Sequence, residues 1–129
     1  MNIGQAARAS GISAKMIRYY ESIELIGPVN RLSNGYRDYS DDDVHMLRFI
    51  GKSRDLGFPM PAVSDLLALW RDKSRASRDV RKLANHHIDD LKRRINDMHA
   101  MVQTLETLSA NCHGDDRPDC PILDKLATG

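Results

Sequence analysis

The sequence predicts an all-α fold broken by one small β-hairpin, and three observations predict it. The chain is 41% hydrophobic but only 5% aromatic, a balance that suits small aliphatic helices better than a sheet-rich core. Residues 78–109 contain neither proline nor glycine and carry apolar side chains at a helical spacing. An Asn34-Gly35 pair gives a strong hairpin-turn signal. A length of 129 residues corresponds to about one domain.

The elements follow in order. Asn2 suits the N-cap of a short helix from Ile3 toward Ser10, with Ile3, Ala6 and Ala7 on one face. Gly11 suits its end, because glycine tolerates the left-handed cap conformation. Ser13 then caps a second helix, Ala14 to Ser22, reading AKMIRYYES. Two short helices joined by a glycine turn form a helix-turn-helix pattern. In the next stretch, GPVNRLSNGYRDYS, Asn34 and Gly35 both accept positive φ, and Arg31, Tyr36, Arg37 and Tyr39 flank them. A hairpin bearing arginine and tyrosine beside a helix-turn-helix reads as a wing. Ser40 caps a third helix whose first turn holds Asp41, Asp42 and Asp43, where the helix dipole favours negative charge. Val44, Leu47 and Ile50 give that helix an apolar face, with Phe49 on its edge. GFPMP breaks the chain, and Pro61 fits the first turn of a fourth helix through Leu66, Leu67 and Trp70. RDKSRAS is a polar connector, and Ser77 suits the N-cap of the long helix.

On that helix Ala84, Ile88, Leu91, Ile95, Met98, Val102 and Leu105 alternate spacings of four and three, a coiled-coil seam. Some 32 residues rising ~1.5 Å each span roughly 48 Å. One narrow stripe on one long helix cannot bury itself, and each large apolar side chain left in water forfeits ~1.5–3 kcal/mol. A partner helix is expected, most simply from a second copy. The reading therefore divides the chain into a DNA-binding head with connecting helices (1–75), a dimerisation helix (76–110) and a C-terminal loop with a short helix (111–129).

The formal net charge is +1, so no overall field drives the chain to nucleic acid or membrane; any DNA binding must come from a local arrangement. No apolar run approaches the ~18 residues of a membrane span, and MNIGQAARASG lacks the apolar stretch of a secretion signal. A cytoplasmic protein without a membrane partner is expected. No nucleophile–base arrangement or phosphate loop suggests an enzyme. Both cysteines, Cys112 and Cys120, fall in NCHGDDRPDCP, with seven residues between them. A disulfide, a pair of metal ligands and mere coincidence are all open. Reducing surroundings favour metal binding or reversible redox chemistry over a permanent bridge.

The order helix-turn-helix, wing, connecting helices, long helix, two-cysteine loop resembles the MerR family of transcription activators. IRYYE and NGYRDYS are similar to that family's DNA-binding signature, and CHGDDRPDCPI after the long helix resembles its copper-efflux branch, the CueR/HmrR-like regulators. The resemblance implies an antiparallel coiled-coil homodimer that binds promoter DNA. It also implies activation by bending and underwinding a poorly spaced promoter for RNA polymerase. The DNA contacts it implies are Lys15, Arg18 and Tyr19 on the recognition helix; Arg31, Asn34, Tyr36 and Arg37 on the wing; and Arg54 at the end of the third helix. Arginine reads guanine edges or holds phosphates, and tyrosine hydroxyls mostly position the backbone. Tyr20 and Tyr36 have a competing reading as half-buried core aromatics.

Within that resemblance the thiols Cys112 and Cys120 are the expected ligands of Cu(I), with Ag(I) and Au(I) as alternative inducers. Soft thiolates favour Cu(I), whereas Zn(II) sites usually want four ligands, or three and water. The divalent-sensing branches carry a cysteine where this chain has Ser77, which argues for a monovalent ion. His113 adjoins Cys112, and neighbouring side chains often point apart, so it is placed beside the ligands or in solvent rather than among them. Two thiolates and one Cu(I) sum to a negative charge. Pro121 suits the start of a short helix, so Cys120 lies where a helix dipole favours an anion, and Arg81 is a candidate for added positive charge from the partner copy. The competing functions are a divalent sensor for zinc, lead or cadmium, a thiol redox sensor and a copper buffer. The last needs no DNA-binding head.

Overall fold

The computed structural model describes residues Met1–Thr128. Its elements are α1 (Ile3–Ser10), α2 (Ala14–Ser22), β1 (Asn30–Arg31), β2 (Arg37–Asp38), α3 (Asp41–Asp55), α4 (Met60–Arg71), α5 (Ser77–Ala110) and α6 (Pro121–Thr128). They fall into two compact units, Met1–Leu83 and Ala84–Gly129.

Side-chain caps set the helix starts in the first unit. Asn2 accepts from the Gln5 amide at 2.8 Å while the Gln5 side chain accepts from the Asn2 amide at 2.9 Å, a reciprocal capping box. Ser13 accepts from the Met16 amide at 3.2 Å. Ser40 and Asp43 repeat the reciprocal pattern at 3.1 and 2.9 Å. Gly11 ends α1 in the left-handed region, φ 76°.

Two sequence expectations need correction. Asn34 does not adopt positive φ; Gly35 alone does in the hairpin, at φ 86°. The Gly35 amide donates to the Leu32 carbonyl at 2.9 Å and the Leu32 amide to the Tyr36 carbonyl at 2.7 Å. The connection is therefore a three-residue loop, Ser33 to Gly35, with glycine at the left-handed position, rather than a two-residue Asn-Gly turn. Asn34 instead uses its side-chain oxygen to accept from the Tyr36 amide at 3.1 Å. The antiparallel register pairs Asn30 with Asp38 and Arg31 with Arg37. The second correction is at Ser77, which is the first helical residue of α5 rather than its cap.

The core of this unit joins Ala6, Ile17, Tyr20, Leu25, Ile26, Tyr39, Val44, Leu47, Ile50, Val63 and Leu67. α1 packs on α2 and α3, and α3 packs on α4. Phe49 and Trp70 extend the α3–α4 contact as stacked rings, 5.1 Å apart and 1° from parallel. Arg71 ties α4 back by donating to the Leu25 carbonyl at 3.1 Å. Met1 pairs with the end of the hairpin: its carbonyl accepts from the Tyr39 amide at 2.7 Å, and its nitrogen donates to the Tyr39 carbonyl at 2.9 Å.

In the second unit the expected seam runs along α5 and faces solvent. Ile88, Ile95, Met98, Val102 and Leu105 are all exposed. Leu123 and Leu126 do the same on α6. No described helix is long and apolar enough to cross a membrane.

The end of α2 carries backbone strain. The Leu25 amide donates to the Tyr20 carbonyl at 3.0 Å and the Glu24 amide to the Glu21 carbonyl at 3.1 Å, a Schellman ending. Glu24 occupies its left-handed position at φ 59°, where glycine is unstrained. Buried Leu25 gives the motif its hydrophobic closure. Glu24→Gly is expected to stabilise the fold by about 0.5–1 kcal/mol, relief of the left-handed strain exceeding glycine's entropic cost; urea unfolding checks it, and a destabilised variant would contradict it.

Candidate nucleic-acid interface and thiol loop

α2 is oriented by two inward side chains. Ile17 and Tyr20, three residues apart, are buried, which turns Lys15, Arg18 and Tyr19 outward. Tyr20 is thus a core aromatic, its ring centroid 5.8 Å from that of half-exposed Tyr19. Tyr36, by contrast, is 73% exposed at the hairpin tip.

A cleft of about 810 Å³ lies where the start of α1, α2 and the hairpin meet. Arg18, Tyr36 and Arg37 line it together with Asn2 and Gln5. The structure therefore brings three of the eight expected DNA contacts to one concave surface. Lys15 and Tyr19 share the exposed face of α2. Arg31 folds onto the hairpin, donating through Nη1 to the Gly35 carbonyl at 3.0 Å. Arg54 donates to the Phe58 carbonyl at 3.0 Å beyond the end of α3, so its guanidinium is partly engaged.

Two further residues matter at this surface: Glu21, which sequence reasoning did not single out, and Tyr39, which it named only as a flank of the hairpin turn. Glu21 accepts from Arg37 Nε with both carboxylate oxygens, at 2.9 and 2.8 Å. Its Oε2 also accepts from the Tyr39 hydroxyl at 3.2 Å. Tyr39 is buried in the core rather than displayed on the wing. The signal for Glu21 was its position four residues after Ile17, which sets a carboxylate beside the buried stripe, where it needs partners. Burial pushes the Tyr39 hydroxyl up to about 12, and the charge of Glu21 and their hydrogen bond push the same way.

The thiol loop belongs to the second unit. The Cys112 amide donates to the Ser109 carbonyl at 3.1 Å, continuing the last turn of α5. Gly114 takes φ 65°. The Asp115 carboxylate accepts from the Arg117 amide at 2.9 Å and from its Nε at 2.8 Å, so this aspartate shapes the loop. The Cys120 carbonyl accepts from the Asp124 amide at 3.0 Å, which sets Cys120 immediately before α6. Both thiols are free and half-buried. Among the described residues, no three His, Cys, Asp or Glu side chains cluster to hold a metal ion, so His113 forms no such group with the cysteines. Ser77 and Arg81 are exposed in the first two turns of α5.

Capped helices, a glycine turn and an arginine-bearing hairpin around one cleft define a helix-turn-helix regulatory protein. Residues 1–70 match the family model of the MerR helix-turn-helix regulatory proteins, and residues 44–108 match the MerR DNA-binding model. The chain is 55% identical to a heavy metal-dependent transcription regulator of Rhizobium meliloti (strain 1021), over all of this chain and 88% of that protein. It is 35% identical to the regulator CueR of Salmonella typhimurium (strain LT2), over 98% of this chain and 92% of that one. Its fold matches the lead(II) complex of the transcription regulator PbrR691 from Ralstonia metallidurans CH34 with a TM-score of 0.86, at 24% identity over 98% of both chains. The chain belongs to the MerR family, a family of DNA-binding transcription regulators and not of enzymes.

The Tyr39 contacts predict an alkaline limit to stability. A proton held more tightly in the folded state stabilises the fold fully below the unfolded value near 10 and is lost as pH rises through about 12. Spectrophotometric titration should show one tyrosine ionising last, near pH 12, and Tyr39→Phe should remove that step. Four tyrosines titrating together near 10 would contradict the assignment.

Proposed function

We propose that the protein is a Cu(I)-responsive transcription activator of copper-efflux genes that also answers Ag(I) and Au(I). The observation that carries this reading is the pair of free, half-buried thiols at the two ends of one short loop. Their donor set fits a soft monovalent ion: two sulfurs suffice for linear coordination, and a divalent ion wants further ligands. Cys112 and Cys120 would hold the ion, which supplies a link between the end of α5 and the start of α6. Ser77 withholds a further thiol, and Arg81, from a second copy, offsets the negative charge that two thiolates leave on a monovalent ion. His113 stands beside the ligands. The 55% identical relative is by name heavy metal-dependent, and the two-cysteine loop resembles that of copper-efflux regulators.

The acting species is a homodimer in the cytoplasm, joined along the α5 seam as an antiparallel coiled coil. The exposed stripe from Ile88 to Leu105 supports this, since so many large apolar side chains are otherwise left in water. Each head meets promoter DNA through the Arg18–Tyr36–Arg37 surface, with Lys15, Tyr19, Arg31, Asn34 and Arg54 around it. The metal-loaded dimer distorts the promoter so that RNA polymerase engages both of its elements.

In transcription in vitro with reduced protein and its promoter, Cu(I) or Ag(I) should activate, Zn(II) should not, and Cys112→Ser should abolish the response. Activation by Zn(II) identifies a divalent sensor, and activation by oxidant without metal identifies a redox sensor. Sedimentation equilibrium at micromolar concentration tests the assembly. The wild type should run as a dimer and Ile95→Asp, which places a charge in the seam, as a monomer; a monomeric wild type would refute the dimer.

A further inference from the structure

We propose that Glu21 is a positioning residue for DNA binding: by gripping the Nε edge of Arg37, it aims the two Nη groups of that guanidinium into the cleft beside Arg18. The proposal rests on the reading of Arg18 and Arg37 as DNA contacts.

Glu21 shares the single Nε–H of Arg37 between its two oxygens, at 2.9 and 2.8 Å. Among the described residues, neither Nη of Arg37 donates to a protein acceptor. Those nitrogens carry the donors of the fork that suits a phosphate. Arg37 also lines the cleft with Arg18 and Tyr36. The grip is itself anchored: Glu21 sits on α2, is only 17% exposed, and receives the hydroxyl of buried Tyr39 at 3.2 Å. One carboxylate thus joins the recognition helix to the second strand of the wing, and the angle of Arg37 follows that of α2. The hydrogen bond and charge of Glu21 also strengthen the hold of Arg37 on its proton.

Charge and geometry predict opposite signs for removal of Glu21. A carboxylate beside a phosphate contact repels DNA, so by charge alone Glu21→Gln strengthens binding to any duplex. If Glu21 positions Arg37, the same change weakens binding to the operator while binding to unrelated DNA stays level or rises.

The test is binding of the reduced full chain to a duplex carrying its operator and to a scrambled duplex of equal length and composition. The ratio of the two affinities is insensitive to any unfolded fraction. Glu21→Gln should lower operator affinity about fivefold to tenfold without lowering affinity for the scrambled duplex. In an Arg37→Ala background it should cause no further loss. Tyr39→Phe removes the anchor but keeps the Arg37 grip, so it should lower the ratio by less than Glu21→Gln does while reducing thermal stability. A rise on both duplexes means that Glu21 acts only as charge, and an equal fall on both means that it is only structural; either overturns the proposal. So does a Tyr39→Phe variant that loses the ratio as Glu21→Gln does. If Arg37→Ala leaves operator affinity unchanged, the assignment of Arg37 to the DNA surface fails first. If Arg37→Ala weakens it and Glu21→Gln does not, the role of Glu21 alone falls.

Discussion

Ile17 and Tyr20 hold one face of α2 in the same apolar cluster as Ala6, Leu47 and Ile50. What the head displays follows from that burial. At 3.6 residues per turn, fixing positions 17 and 20 inward fixes 15, 18 and 19 outward, with no further choice open to the chain. Burial also sets the level of the following loop, because Leu25 closes the end of α2 and Ile26 enters the same core. The wing begins only a few residues later, and Tyr39 returns the chain to the core at its far end. A hairpin with two-residue strands has little stability of its own. It is placed by its anchors: Leu25 and Ile26 before it, Tyr39 and the Met1 pairing after it.

The sequence made legible those features whose chemistry is local. Asn2, Ser13 and Ser40 cap helices because a short polar side chain reaches an amide three residues on, a relation visible in any window of four residues. Gly11 and the 4-3 spacing of α5 were legible for the same reason. The turn at Asn34-Gly35 was legible as a turn but not in its geometry. The pair is compatible both with a two-residue loop and with a type I turn closing on glycine, and only the strand register decides between them. Ser77 shows a milder form of this, since a serine serves equally as cap or as first residue of a helix.

At the candidate interface the legible part was the outward cationic set, and the hidden part was what holds it. Arg18, Tyr36 and Arg37 stand out as residue types that contact nucleic acid. Glu21 and Tyr39 stand sixteen and two residues from Arg37 in sequence, and their meeting is a tertiary fact. Tyr39 was misplaced onto the wing because its neighbours are polar, yet it is among the most buried residues of the head. The thiol loop shows the reverse. The two thiols stand out in the sequence because one short polar loop holds both cysteines of the chain, and the structure adds that both are half-buried and free.

The charge balance gives these arrangements their weight. With a net charge of +1 the chain has no strong overall field to draw it to DNA, so attraction must come from how a few cations are placed. The first turn of α3 carries three aspartates and Glu21 lies against Arg37, so anions sit even on the elements flanking the interface. Such a surface gains little from indiscriminate contact with phosphates and more from contacts made at the right angle. Rigidity then matters more than the number of charges. That is consistent with the way the head is built, where reciprocal caps, a stacked Phe49–Trp70 pair and a shared carboxylate each remove freedom from an element that carries an exposed cation or packs against one that does.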